Sequence, residues 1–349
     1  MVKAQQWLEE NYPKNGVCIW EDSKKDEDEN DEPLRDSSWN NKGKRREEIE
    51  KLHFPEKDDT PLEGDLKLEG FTKLKTLDFL ENEITSLEIV DSPGLEVIFI
   101  RRNKITELDT SGFPNLELLD CIETLLSELD LSKNNKLKVL RIPDNNFSKQ
   151  DLSFLSHLVN LKSLEIGNIK ESVERGIYNR FYGSLEHLKK MTELEVLDIE
   201  NTDIDSGLEY LSNKIRSFTC SSDESRNFKV KEIEKQLKEE GEPDKNDDFY
   251  LLLAKWKVGR LDEELRIERE EVKKFHEKSE EYSLKNLEEV AKDLGIDEKE
   301  WKGKIFAEIK MAIKEEVEKI RTNKVKNNPN ASFNLLSGEG KVLMVNPTN

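Results

Sequence analysis

A short pattern with apolar residues at positions 0, +3 and +5 and Asn at +8 returns along this chain at a fixed interval. Leu74, Leu77, Phe79 and Asn82 set it, and Leu95, Ile98, Ile100 and Asn103 repeat it 21 residues later. Another 21 gives Leu116, Leu119 and Cys121 with Thr124 in the Asn place, and another 21 gives Leu137, Leu140, Ile142 and Asn145. The interval stretches to 24 for Leu161, Leu164 and Ile166, then to 33 for Leu194, Leu197 and Ile199. It returns to 21 for Ile215, Phe218 and Cys220, and a degenerate first copy begins at Ile49 and Leu52. Self-similarity at such a period is the mark of stacked structural repeats.

The pattern has a direct physical reading. Apolar residues at +3 and +5 alternating with polar ones have the period of a short strand with one face buried. A second apolar pair, such as Ile84 with Leu87 or Ile105 with Leu108, closes the coil from the other side. Asn at +8 can both donate to and accept from main-chain groups where the chain leaves the strand. One coil cannot bury its own apolar face, but stacked coils share a continuous core with a parallel sheet on one side. Six or seven coils are expected. The Asn ladder is expected to be broken where +8 is Thr124, Ile169 or Thr202.

The segments LKTLDFLEN (74–82), LEVIFIRRN (95–103), LKVLRIPDN (137–145) and LEVLDIENT (194–202) resemble the leucine-rich repeat family. ITSLEIV, ITELDTS and LSELDLS resemble its short repeats of about 21 residues, of the kind seen in bacterial and some fungal members. AQQWLEENYPKNG, DNNFSKQDLSFLSHLVNL and IYNRFYGSLEHLKKM are similar to the flanking segments of such families. The resemblance covers residues 46–222. It implies an α/β repeat solenoid, a horseshoe or arc with a concave parallel β-sheet, followed by charged C-terminal helices. It implies binding rather than catalysis, because the fold is a scaffold on which no catalytic residues travel.

Composition sets the flanks apart. Of 349 residues, 34% are hydrophobic and 38% charged, too few apolar residues to fill two compact cores, since globular domains run at about 45–50%. Residues 1–45 read as an N-terminal extension. Within it Val2 to Asn11 form a turn or two of amphipathic helix with Trp7 and Leu8 on the apolar side, and 21–32 carry eight acids and two lysines, an acidic linker expected to be disordered. The long step at 167–193 reads as a helix, with Val173, Ile177, Phe181 and Leu185 spaced by four. Residues 223–326 read as a charged helical region. Ile233 and Leu237 are expected to seal the last coil. The stripe Phe306, Ile309, Ile313, Val317 and Ile320 has the spacing of a coiled-coil face, through which self-association is conceivable. Residues 327–349 read as a flexible tail.

The chemistry expected from the chain is that of contact. His53, His157, His187 and His276 stand far apart, in no metal-binding or nucleophilic pattern, and Gly338 and Gly340 form a lone G-x-G without a strand before it. No enzyme, cofactor or metal is expected. Cys18, Cys121 and Cys220, odd in number and widely spaced, exclude a disulfide framework and suit a reducing, cytoplasmic compartment. A net charge of −20 argues against nucleic acid. No apolar run approaches the roughly 18 residues of a membrane span, and the start of the chain lacks the apolar core of a signal peptide.

The concave face remains. Its outward rows are +2 (Thr76, Val97, Leu118, Val139, Ser163, Val196, Ser217), +4 (Asp78, Phe99, Asp120, Arg141, Glu165, Asp198, Thr219) and +6 (Leu80, Arg101, Ile122, Pro143, Gly167, Glu200, Ser221). Leu80, Phe99 and Ile122 are expected to be exposed beside Arg101, Arg102, Asp120 and Arg141, a combination enriched at binding hot spots. Coverage of these residues by another part of the chain is the competing reading. The expected partner is a protein or peptide on this face. Two further classes stay open: a regulatory subunit or adaptor in signal transduction, serving a GTPase, kinase or ubiquitin ligase, and a cell-surface or secreted adhesion protein.

Overall fold

The computed structural model describes residues 2–21, 39–55, 61–223, 226–238, 249, 252–261, 263, 266, 267, 270, 334–336 and 342–344. The acidic stretch beyond Glu21 and the apolar stripe Phe306, Ile309, Ile313, Val317 and Ile320 lie outside these residues. The chain divides into two compact units, Met1–Lys257 and Val258–Asn349.

In the first unit each repeat contributes one three-residue strand to a parallel sheet. The strands are β2 (Lys51–His53), β4 (Thr76–Asp78), β6 (Val97–Phe99), β7 (Leu118–Asp120), β8 (Val139–Arg141), β9 (Ser163–Glu165), β11 (Val196–Asp198) and β13 (Ser217–Thr219), neighbours in chain order. The register sets Leu52, Leu77, Ile98, Leu119, Leu140, Leu164, Leu197 and Phe218 side by side. All eight are buried, so the predicted core leucines 77, 119, 140, 164 and 197 are in the core. The degenerate copy at Ile49 forms a complete strand, and the solenoid has eight coils rather than six or seven. The reason is that strand pairing needs the buried +3 and +5 side chains, here Leu52 and Phe54, and tolerates loss of the rest of the motif.

Both ends are closed. At the N-terminal end β1 (Val2–Lys3), β3 (Leu62–Leu68) and β5 (Glu83–Ile89) form a second parallel sheet. Helix α1 (Ala4–Asn11) buries Ala4 and Leu8, and Trp7, Tyr12, Trp20, Phe54, Phe71 and Phe79 form a continuous group of ring contacts beneath it. An open solenoid end would expose core, and this aromatic cap removes it. At the other end α3 (Val230–Lys238), packed beside β12 (Asp203–Ser206), buries Val230, Ile233 and Leu237, as the sealing role of Ile233 and Leu237 requires. The helical residues 252–257 add Leu252 and Leu253, and Lys257 Nζ donates to the carbonyls of Leu211 and Ser212 at 3.0 and 2.8 Å. Burial lowers the Lys257 pKa to about 8.

The long step at 167–193 is not the helix its spacing suggested. Helix α2 covers only Lys170–Glu174, and Gly176 at φ +76 turns the chain out of it. The chain then forms β10 (Tyr182–Ser184), parallel to β12, and a 3-10 turn over Leu185–Leu188. Val173, Phe181 and Leu185 are buried, but on successive short elements rather than on one helix face.

The asparagine ladder is more complete than the motif implies. Asn103 Nδ2 donates to Phe79 O and Ile100 O, its own +5 carbonyl and that of the coil before, while its Oδ1 accepts from Ile84 N. Asn145 does the same with Cys121, Ile142 and Leu126. In the next coil, where +8 is Ile169, Asn179 donates to Ile142 O and Ile166 O instead. Thr124 and Thr202 each donate to the +5 carbonyl of their own coil, Cys121 and Ile199. One residue earlier, at +7, Glu81, Arg102, Glu123, Asp144 and Asn201 all adopt left-handed backbone with φ of 50–56°. Five of the eight coils thus make the same sharp exit from their strands.

In the second unit β14 (Asn334–Leu336) and β15 (Val342–Met344) pair antiparallel. The tail read as flexible therefore holds a short pair of antiparallel strands.

Candidate protein interface

Strand register aligns the central outward row as His53, Asp78, Phe99, Asp120, Arg141, Glu165, Asp198 and Thr219. Three zones follow one another along it. The first is closed. Leu80 is only 7% exposed and Asp78 only 6%. His53 is buried between the rings of Trp20 and Trp39, at 5.7 and 6.3 Å, with its Nδ1 3.5 Å from Asp78. Leu80 therefore does not offer the exposed surface its row position suggested. It lies in the coil next to this aromatic closure, with Pro55, whose carbonyl accepts from Asn82, before it in its row.

The central zone joins most of the residues singled out in the sequence. Asp120 is fully buried and accepts from Arg101 Nε at 2.8 Å, with Arg141 Nη1 at 3.4 Å. Arg141 Nε donates onward to Glu165 Oε1 at 2.8 Å. Burial raises the Asp120 pKa, and the two guanidiniums oppose that shift. Both arginine side chains keep about a third of their surface open, 31 and 33%. Phe99 and Ile122 are half-buried, not exposed as expected. A concave face crowds its central rows, so side chains that would stand free on a flat sheet shade one another. Arg102 is the exception among the predicted residues. It sits on the left-handed exit turn, exposed, and pairs with Glu81 and Glu123.

The third zone is acidic and was not singled out from the sequence. Asp198 Oδ1 accepts from Glu200 N at 2.9 Å, Glu200 Oε1 from Ser221 Oγ at 2.8 Å, and Asp144 Oδ1 from Ile169 N at 2.8 Å. Gly167 makes room for this arrangement, since a Cβ there would lie 2.7 Å from Asp198 Oδ1. Desolvation raises the pKa of all three carboxyls, that of Asp198 to about 7, with the charges of Glu200, Glu165 and Asp144 adding to it. Carboxylates in consecutive outward rows around a glycine were the available signal. Beside these zones the +2 row lays Val97, Leu118 and Val139 as a half-buried aliphatic strip.

Among the described residues no group of three or more His, Cys, Asp or Glu side chains is placed to hold a metal ion. The thiols of Cys18, Cys121 and Cys220 are buried, and burial raises the pKa of Cys121 well above the usual thiol range. His157 Nε2 lies 3.0 Å from Leu131 O, a structural contact between coils.

No protein-family model matches the sequence, and no curated protein is similar to it in sequence. Solved structures share the architecture at low identity. The functional domain of InlJ from Listeria monocytogenes, which includes a cysteine ladder, is 22% identical with a TM-score of 0.41, over 51% of this chain and 36% of that one. Internalin C2 from the same organism is 18% identical with a TM-score of 0.36, over 51% and 85%. The Arabidopsis receptor kinase HAESA, solved with the peptide hormone IDA and the co-receptor SERK1, is 19% identical with a TM-score of 0.38, over 50% and 35%. The chain thus spans about a third of the InlJ and HAESA structures it matches. One parallel strand per repeat, an aligned row of buried leucines and an asparagine ladder at the strand exits make this a leucine-rich-repeat solenoid.

Proposed function

We propose that the protein is a non-enzymatic interaction module that holds a protein or peptide on its concave sheet face. The observation that carries this reading is the central zone. Two half-open guanidiniums, Arg101 and Arg141, flank the buried Asp120 beside half-buried Phe99 and Ile122. Each arginine spends part of its donor set on carboxylates within the sheet and keeps the rest for a ligand. Aromatic and aliphatic side chains next to preorganised arginines are the composition of interface hot spots. The fixed register of the strands holds these groups in place, which lowers the ordering cost of binding.

The test compares proteins retained by the full chain with those retained by Phe99→Asp and by the exposed control Glu128→Gln. A partner kept by the control and lost from Phe99→Asp, and bound directly by the purified wild type, supports the reading. Equal retention by all three overturns it.

A further inference from the structure

Elsewhere in the solenoid, charges on adjacent coils are matched. Lys75 pairs with Glu50, Lys138 with Glu117, Lys214 with Glu193 and Arg216 with Glu195, each across one repeat step. The central zone continues that rule through Arg101, Asp120, Arg141 and Glu165. Beyond Glu165 it fails. Asp144, Asp198 and Glu200 form no ion pair among the described residues; Asp198 is held by Glu200 N and Glu200 by Ser221 Oγ, while Asp144 is held by Ile169 N and Ser172 and feels the charge of Arg175. Half-buried Asp198 and Glu200 stand beside the buried Asp144, whose charge raises the pKa of both, and Glu200 adds to the rise at Asp198. Charge left uncompensated where burial makes compensation most valuable is a feature of functional sites.

A separate observation lies at the same place. Ile169 is 41% exposed, one of few large apolar side chains open to solvent among the described residues, and its own N–H is the donor to Asp144. It occupies the +8 position, which holds the buried Asn145 in the coil before and the buried Thr202 in the coil after. Because Asn179 fills the ladder here, Ile169 is released to the surface. Val139 and Val196, in the +2 row, add half-buried aliphatic surface. The zone thus offers negative charge next to aliphatic contact.

We propose that this half of the concave face, bounded by Asp144, Glu165, Asp198 and Glu200, docks a basic segment of a protein partner, Lys or Arg side chains entering among the carboxylates and an aliphatic side chain resting on Ile169. The proposal rests on the concave face being the binding surface and names the chemistry of its occupant. Charge complementarity carries the choice: a cation removes the mutual repulsion of the carboxylates, an anion would add to it, and a purely apolar segment would bury them uncompensated.

The probes are two synthetic 12-residue peptides, one alternating Leu and Lys and one alternating Leu and Glu, titrated against the full chain at physiological ionic strength. The Leu/Lys peptide is expected to bind and the Leu/Glu peptide not. Glu165→Gln/Asp198→Asn/Glu200→Gln is expected to weaken Leu/Lys binding at least about tenfold, and Ile169→Ser by a smaller factor. Glu107→Gln/Glu128→Gln/Glu186→Gln changes the net charge equally on exposed sites outside the face and is expected to alter binding less than about twofold. Circular dichroism melts of both triple variants establish that they are folded. Equal weakening in the two triples would reduce the effect to bulk charge and overturn the proposal, as would failure of the Leu/Lys peptide to bind. Binding of the Leu/Glu peptide, lost in Phe99→Asp, would overturn the basic occupant while leaving the concave reading intact. Loss of neither peptide's binding in any concave variant would remove both.

Discussion

The side-chain amide of Asn179 donates to the main-chain carbonyl of Ile142 at 2.7 Å, across 37 residues of sequence. In two regular coils the same bond is made by the asparagine eight residues into the motif. A ladder position is therefore defined by where an amide can reach the +5 carbonyls of two coils, and the inserted segment carries one there from outside the motif. The main chain of Asn179 exchanges two further bonds with Asn168, its N donating to Oδ1 at 2.6 Å and its carbonyl accepting from Nδ2 at 3.2 Å, and these fix the segment on the next rung.

Replacing Asn179 by Ala should take the side-chain donor from the buried Ile166 carbonyl and leave the Ile142 carbonyl with Asn145 alone of its two side-chain donors. A cost of about 1–3 kcal/mol is expected, the range for a buried polar group that loses its partner. Asn146→Ala, at an exposed neighbour of the ladder, should change stability by less than about 0.5 kcal/mol. Urea unfolding of both variants at one pH checks the difference.

Leu140 is fully buried in the middle of the core row, between Leu119 and Leu164. Leu140→Ala should cost about 2–5 kcal/mol. Coils are stabilised by their neighbours, so hydrogen exchange should quicken in the coils of β7 and β9 as well as in that of β8. Loss of protection confined to one coil would contradict the coupling.

The left-handed exit position can be tested at Glu123, φ 50°. A β-branched residue is disfavoured there, so Glu123→Val should destabilise by about 1–2 kcal/mol. Glu123→Gly should be neutral to within about 1 kcal/mol, because glycine adopts this conformation freely while losing more entropy on folding. Thermal melts of the pair give the sign directly.

The acidic zone predicts a pH dependence. Burial raises the Asp198 pKa from 3.8 to about 7, so between about pH 4 and 7 the folded state holds a proton that the unfolded state has released. Stability from this group is therefore full below about pH 4 and declines as the pH rises through 7. Asp144 and Glu200, shifted in the same direction, add to the trend. Asp198→Asn should raise the melting temperature at pH 8 and flatten its decline between pH 5 and 8. A variant with an unchanged slope would show that Asp198 is ionised at no cost in the fold.

The sequence by itself determined the coil. Apolar residues at 0, +3 and +5 leave one economical solution, a short strand with its leucine buried against the strands of neighbouring coils. The register and core row follow from Leu77, Leu119, Leu140 and their equivalents without further information. Ile233 and Leu237 were legible as a seal because an apolar helix stripe directly follows the last coil. Tertiary structure decided what depends on distance in space rather than in sequence. The four-residue spacing at Val173 to Leu185 matches a helix locally, but Gly176 and pairing with β12 divide it among shorter elements. Leu80, Phe99 and Ile122 occupy outward rows, yet outward is not exposed where a face is concave and its first coils are closed by Trp20 and Trp39. The Asn179 rung and the gathering of Asp144, Asp198 and Glu200 join residues from different coils. Only the stacking of those coils brings such groups within reach of one another, and the electrostatic cost of their proximity exists only once water has been displaced from between them.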